Sequence, residues 1–302
     1  MSKNINVGGQ AVIEGVMMRG SQGIATAVRT AQGEIVFEKN IYTSYTKKNK
    51  ILGLPIIRGF ISLIESLVIG VKTLNYSASF FEDGDEEPSK LDKLIEKIFK
   101  EKSNDVIMGI SLVFSLAISI GLFFVLPTSV ASIFSKMGAN TMGMNIVEGI
   151  IRVLLFLLYV YLIGKMEDIK RVFEYHGAEH KTIFCYENSV ELTPENASKF
   201  GRLHPRCGTN FLFLVMTVSI IVFSLTGWNS LGERIMYRIV LLPLISGVSY
   251  EIIKWMGKSE GNLARFLSYP GLKLQNLTTR EPDLAQLEVA IKALKVAEGI
   301  ED

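Results

Sequence analysis

Histidine and cysteine are scarce in this chain, with three and two residues among 302. Two cysteines cannot build a disulfide framework, so a reducing, cytosolic setting is expected for the parts that hold them. No run of Lys and Arg is interleaved with aromatics, and the net charge is only +2, which excludes a general electrostatic pull towards nucleic acid. No apolar stretch ending in a small-residue cleavage site follows Met1-Ser2-Lys3-Asn4, so a cleaved signal peptide is not expected. Internal repeats and long low-complexity tracts are also missing, which sets repeat architectures aside.

Apolar residues are plentiful at 48%, beside 21% charged ones, and the mean hydropathy is +0.30. This balance describes a membrane protein with substantial wet parts. Four hydrophobic runs, about Val106–Leu126, Ile146–Gly164, Phe211–Gly227 and Ile239–Trp255, approach the roughly 20 residues that a hydrocarbon core of about 30 Å requires, the third being short. Glu148, Arg152, Glu251 and Lys254 fall near run ends, where snorkelling accommodates them. Between the second and third runs lie Lys165, Lys170, Arg171, Lys181, Lys199, Arg202 and Arg206, whereas residues 127–145 hold only Lys136. The basic loop therefore belongs in the cytosol, and four crossings put both termini there with it.

The wet parts flank and interrupt these runs. Residues 1–50 read as a β-rich soluble segment, with a hairpin formed by Ile24–Thr30 and Glu34–Tyr42 around Ala31-Gln32-Gly33. Before it, Gly8–Gly20 suits a loop packed against a ligand or another domain, since its glycines permit close backbone approach. Glu14 and Arg19 are its notable polar residues, and an ion pair within the turn is their ordinary use. Residues 51–105 hold an interfacial amphipathic helix over Leu54–Leu74, whose alternative is a further crossing, then an acidic linker Glu82–Pro88 and a short amphipathic helix Ser89–Lys102. Residues 106–256 make the membrane domain, with a cytosolic loop at 165–210. Within that loop the second membrane helix is expected to run on through Met166, Thr193-Pro194 to start a helix, and Gly201 to end one. Residues 257–302 form a tail whose Leu284, Leu287, Ile291 and Leu294 share a helix face that docks on the chain's own soluble part. The fold class expected is a mainly α-helical polytopic membrane protein with a small β-rich N-terminal cytosolic part.

The scarce residues converge. All three histidines and both cysteines fall within Tyr175–Asn210. In His176-Gly-Ala-Glu179-His180 a continuous helix would stand two imidazoles one turn apart, with Glu179 beside them. The order His-x-x-Glu-His is that of inverted metalloprotease helices, which bind zinc through the imidazoles and use the Glu as a base. Gly177 costs such a helix about 1 kcal/mol relative to Ala and would end or kink it between the ligands. His204-Pro-Arg-Cys207, in a loop that cannot be helix, supplies one further N and one S ligand. The expected site is thus His176, His180, His204 and Cys207 on Zn2+, or three of these plus water, with Glu179 as general base and Arg206 or Asn210 stabilising an oxyanion in the enzyme version. If all four side chains bind, no position stays open and the site is structural.

Four segments together resemble one family. Gly8-Gly-Gln-Ala-Val-Ile-Glu-Gly-Val-Met-Met-Arg-Gly20, Tyr175-His-Gly-Ala-Glu-His-Lys-Thr182, His204-Pro-Arg-Cys-Gly-Thr-Asn210 and Glu281-Pro-Asp with Gln286-Leu-Glu-Val-Ala-Ile291 are similar to the YqhQ-like bacterial membrane proteins, a family of unknown function described as predicted metal-dependent enzymes. The resemblance implies a bacterial inner-membrane protein. Two functions are then in contention: metal-dependent hydrolysis of a peptide or lipid-type bond at the membrane face, and a non-catalytic factor that binds or assists other membrane proteins around a structural metal. The partners expected are the lipid bilayer, other membrane proteins and, as a homo-oligomer, further copies of the chain; nucleic acid is not among them.

Overall fold

The computed structural model describes residues 7–81, 103–135, 140–226, 231–259 and 261–301. The acidic linker and the short helix expected at Ser89–Lys102 lie outside them. The described residues divide into two compact units, one holding the β-sheet, the His/Cys region and the C-terminal helices, the other holding the helices around residues 103–159.

In the first unit, β1 (Gly8–Val12), β2 (Gly15–Gly20), β3 (Gly23–Arg29) and β4 (Ile35–Asn40) form an antiparallel sheet in chain order. The expected hairpin is β3–β4, pairing Ile24 with Asn40 through to Arg29 with Ile35, and Gly33 at φ +88° turns the chain between them. The glycine-rich segment is not a loop: it supplies β1 and β2, joined through Ile13 and Glu14. Its glycines serve close approach, since a Cβ at Gly9 would stand 2.6 Å from the Met17 carbonyl oxygen and 2.9 Å from Cγ of Glu179. Glu14 and Arg19 do not pair with each other. Glu14 receives both Nε and Nη2 of Arg171 and, at 3.2 Å, the hydroxyl of Tyr175, while Arg19 lies over the Tyr42 ring.

The helices are α1 (Tyr45–Lys48), α2 (Ile57–Ala78), α3 (Ser103–Ile120), α4 (Leu126–Ser135), α5 (Thr141–Ile163), α6 (Glu167–Glu187), α7 (Pro194–Ser198), α8 (Gly208–Ser224), α9 (Leu231–Met256), α10 (Asn262–Thr278) and α11 (Leu284–Glu298). One core binds the sheet to α6 and α11: Val16, Met18 and Ala27 meet Tyr175, Ala178 and Ile183 on one side and Leu287, Ile291 and Leu294 on another. The tail docks as its stripe implied, except that Leu284 in the first turn stays exposed. Asp283 and Gln286 exchange side-chain and backbone hydrogen bonds at 2.7 and 3.0 Å to start α11, and Gly299 at φ +68° ends it.

Two local expectations change. The second membrane helix does not run on into the His motif, because α5 stops at Ile163 and α6 begins afresh at Glu167; Arg280 reaches into the break and donates to the Gly164 carbonyl at 3.2 Å. Gly177, by contrast, neither ends nor kinks α6, which is continuous through it. There a Cβ would run into the carbonyl oxygen of Arg280. Gly177→Ala gains helix propensity of about 1 kcal/mol but must push the Arg280 backbone off α6, so a net loss of about 1–3 kcal/mol is expected. Thermal unfolding of the purified variant checks this; an unchanged or raised melting temperature would refute it.

Three helices among the described residues are long and apolar enough to cross a membrane, Gly109–Phe134, Thr141–Ile163 and Gly232–Met256. The run expected as a further span forms α8, whose 17 residues make a shorter apolar helix. The fold class is therefore the expected one, a mainly helical membrane protein with a β-rich N-terminal part. Inside the second unit, Glu148 and Arg152 are not at a helix end and do not snorkel. They lie two to three turns into α5 and pair at 2.5 Å, with Glu148 buried and Arg152 partly so. Thr128 donates to Glu148 at 3.1 Å, and Nε of Arg152 donates at 2.9 Å to the carbonyl of Phe123, within the π-turn Gly121–Val125. In the first unit Glu251 pairs with Arg58 of α2, so the Arg and Glu that complicate these apolar helices are again matched.

Candidate metal centre

Helix α6 holds His176 and His180 on one face because four residues make about one turn. Each imidazole is oriented by a main-chain carbonyl: Nδ1 of His176 lies 2.8 Å from the Thr278 oxygen at the end of α10, and Nδ1 of His180 lies 2.6 Å from that of Arg202. A carbonyl oxygen only accepts, so both Nδ1 atoms carry a proton, and in the neutral rings Nε2 carries the lone pair. Cys207, in the turn that starts α8, brings Sγ to 3.2 Å from Nε2 of His176. Nε2 of His180 is buried without a hydrogen-bond partner, and the ligand atoms of His176, His180 and Cys207 all lie within 4.8 Å of one another. Two nitrogens and a sulfur thus converge, with the other ring nitrogens held by carbonyls that fix each imidazole's orientation, as metal-binding histidines are commonly held. The donor set fits zinc.

The electrostatics follow from depth. Burial holds the His180 imidazole below its ordinary value, offset in part by Cys207, so the ring is kept neutral. Burial pushes the Glu179 carboxyl up, with His176 and the Gly9 N–H acting against it. Glu179 itself sits one turn from the ligands, its Oε2 4.0 Å from Nε2 of His176, under the glycine of β1 that leaves room for it.

His204 stands apart from the three. Its Nδ1 accepts from the Arg206 N–H at 3.3 Å, which puts its proton on Nε2, 3.5 Å from Glu187. That is the opposite tautomer to the other two, and although Nε2 is likewise buried without a hydrogen-bond partner, His204 is not among the three gathered ligands. Desolvation raises the Glu187 carboxyl, but His204 and Arg206 outweigh it and hold the group below its usual range.

Residues 54–299 match the family described as "Protein of unknown function (DUF1385)". The "Uncharacterized protein YqhQ" of Bacillus subtilis (strain 168) is 35% identical over 291 residues, covering 95% of this chain and 90% of that one. The chain belongs to this YqhQ-like family. No solved structure matches it. The family description names no activity.

Arg206 and Asn210 are engaged elsewhere. Arg206 pairs with Glu187, and Nδ2 of Asn210 donates to the Pro205 carbonyl, tying the loop. The family's tail motif does more for the site than its sequence disclosed: Glu281 bridges Lys181 at 2.9 Å and Arg202 at 3.4 Å. Lys181 is buried and also donates to the carbonyls of Ser198 and Phe200 at 3.0 and 2.7 Å. Gln275 clamps the His204 backbone through both of its amide atoms, at 2.8 and 2.7 Å. Thr278, Gln275 and the Arg202 carbonyl were not foreseen, because what they contribute is backbone position or amide geometry and no chemically marked side chain.

Proposed function

We propose that His176, His180 and Cys207 bind a zinc ion at the cytosolic face of a bacterial inner-membrane protein, leaving one coordination position open for hydrolysis of a peptide or lipid-type bond. The observation that carries this reading is the pair of imidazoles whose Nδ1–H groups are fixed on carbonyls while their remaining nitrogens meet Cys207. Three protein ligands with a vacancy is the pattern of catalytic zinc, whereas four close the site. Bound there, zinc supplies Lewis acidity and makes water more acidic. Glu179 would hold and pass on the proton, from its place 4.0 Å from Nε2 of His176. His176 and His180 would orient through their carbonyl bonds, and burial would keep bulk water from the site. Zinc analysis of the detergent-purified full chain tests the reading; a chain that purifies folded and metal-free under zinc-replete growth overturns it.

One observation favours the rival, a non-catalytic membrane factor with a structural metal. The His204 ring centroid is 5.6 Å from that of His180, so rotation of this ring could close a four-ligand site. Retention of zinc by a chain in which Glu179 is dispensable would support it.

The core argues for the topology. Because the sheet, α6 and α11 share it, residues 7–40, 167–187 and 284–298 lie on one side of any bilayer. The chain between β4 and α6, and again between α6 and α11, must then cross an even number of times. If α9 crosses, α8 must cross with it despite its length, and α5 pairs with the helix over Gly109–Phe134, leaving α2 at the surface. Four crossings with the basic loop in the cytosol follow. Val190 lies in that loop and is exposed; Val190→Cys should react with a membrane-impermeant maleimide only after intact cells are opened. Labelling from outside would overturn the orientation.

A further inference from the structure

The helix α10 is apolar on two opposite faces. Inward, Ala264 and Leu267 pack against Leu214 of α8 and against Ile252, Ile253 and Met256 of α9. Outward, Leu263, Phe266 and Tyr269 are 61%, 74% and 58% exposed. Three large apolar side chains at i, i+3 and i+6 form a continuous strip along a helix. Left in water, such a strip forfeits about 25 cal/mol for each Å² of apolar surface that could be covered.

What covers it is indicated by charge. Arg265 and Lys273 border the strip and are exposed, Lys273 lies 5.3 Å over the Tyr269 ring, and the helix carries no Asp or Glu along its 17 residues. Lys258, just before it, is exposed as well. A basic helix with an aromatic and aliphatic outer face is the signature of an element lying in the plane of a membrane surface, where its cations meet anionic headgroups. Its level agrees, because the inward face packs on the last two turns of α9 and the second turn of α8, the ends of two apolar helices. Helix α2, which packs on α9, has the same kind of outer face: Gly59, Gly70 and Thr73 are buried, whereas Leu67 and Val68 are more than half exposed.

We propose that the outward face of α10 lies on the bilayer surface at the cytosolic ends of α8 and α9 and selects anionic phospholipid headgroups through Arg265 and Lys273. This surface stands independently of the metal reading, although α10 ends at the Thr278 carbonyl that orients His176.

The test uses the full chain reconstituted into vesicles of phosphatidylcholine, alone or mixed with phosphatidylglycerol. A nitrobenzoxadiazole probe is placed at Phe266→Cys, with Glu38→Cys on the exposed strand β4 as the aqueous reference; the native Cys185 and Cys207 are buried. Emission at position 266 should be blue-shifted and quenched more by lipid spin-labelled near the headgroup than by lipid labelled near the chain end. The Arg265→Gln, Lys273→Gln double variant should lose on the order of tenfold in preference for phosphatidylglycerol, measured by native mass spectrometry of retained lipid. Water-like emission at 266, strongest quenching by the deep label, cross-linking of two copies through position 266, or an unchanged phosphatidylglycerol preference in a folded double variant would each overturn the proposal. If the double variant fails to fold, the depth measurement in the wild-type background still decides.

Discussion

Zinc is expected to fall from about one ion per chain to background when His180 is replaced by alanine. The imidazole is 1% exposed, and its Nδ1 is held by Arg202 in the loop that Glu281 and Thr279 also grip. Removing it takes away one of three ligands and leaves a cavity between α6 and that loop, so metal and stability should be lost together. A drop in melting temperature of roughly 5–15 °C is expected for a loss of a few kcal/mol in a chain of this size. Stripping the wild type with a chelator should lower it to a similar extent, while His180→Ala should show no further response to chelator. His204→Ala provides the contrast, since its ring nitrogens are turned to Arg206 and Glu187: it should retain zinc. Zinc retained in His180→Ala, or lost equally from both variants, would show that the three-ligand set is misassigned.

The sequence discloses this fold unevenly, and the reasons are physical. Hydrophobic runs, the β3–β4 hairpin and the Thr193-Pro194 helix start are written in local composition, and all three appear where periodicity and turn chemistry put them. What could not be read is set by contacts between distant segments. Gly9 and Gly20 look like loop glycines, yet they sit in strands because Glu179 and the end of α11 come close to them. Gly177 looks like a helix breaker, yet the Arg280 backbone needs its missing side chain. Lys181 and Arg202 counted as topology-setting cations, and both turn out to be bound by Glu281 from the tail. In the candidate centre, residue type and spacing find His176, His180 and Cys207 because metal chemistry uses few side chains. They cannot find the tautomers, which depend on whose carbonyl stands behind each ring. His204 differs from the other two because the Arg206 N–H, not a carbonyl, faces its Nδ1.

Glu179→Gln is expected to abolish cellular function while leaving zinc, abundance and melting temperature nearly unchanged. The carboxylate is not among the three gathered ligands, so its loss leaves the donor set intact. Glutamine keeps the shape and can still accept from the Gly9 N–H that the carboxylate meets. It also removes a buried acid, which has its own desolvation cost, so the fold should lose little. What the amide cannot do is take a proton. From 4.0 Å beside Nε2 of His176, the carboxylate stands where a base for hydrolysis is needed, and a positioned base commonly contributes about 10²–10⁴-fold to such a reaction. Complementation of a deletion strain, with membrane level and zinc content measured in parallel, reads the outcome. A variant that complements fully at normal abundance and with full zinc means that Glu179 moves no proton; the metal would then hold α6, the 202–207 loop and α8 together, and the protein would act as a membrane scaffold.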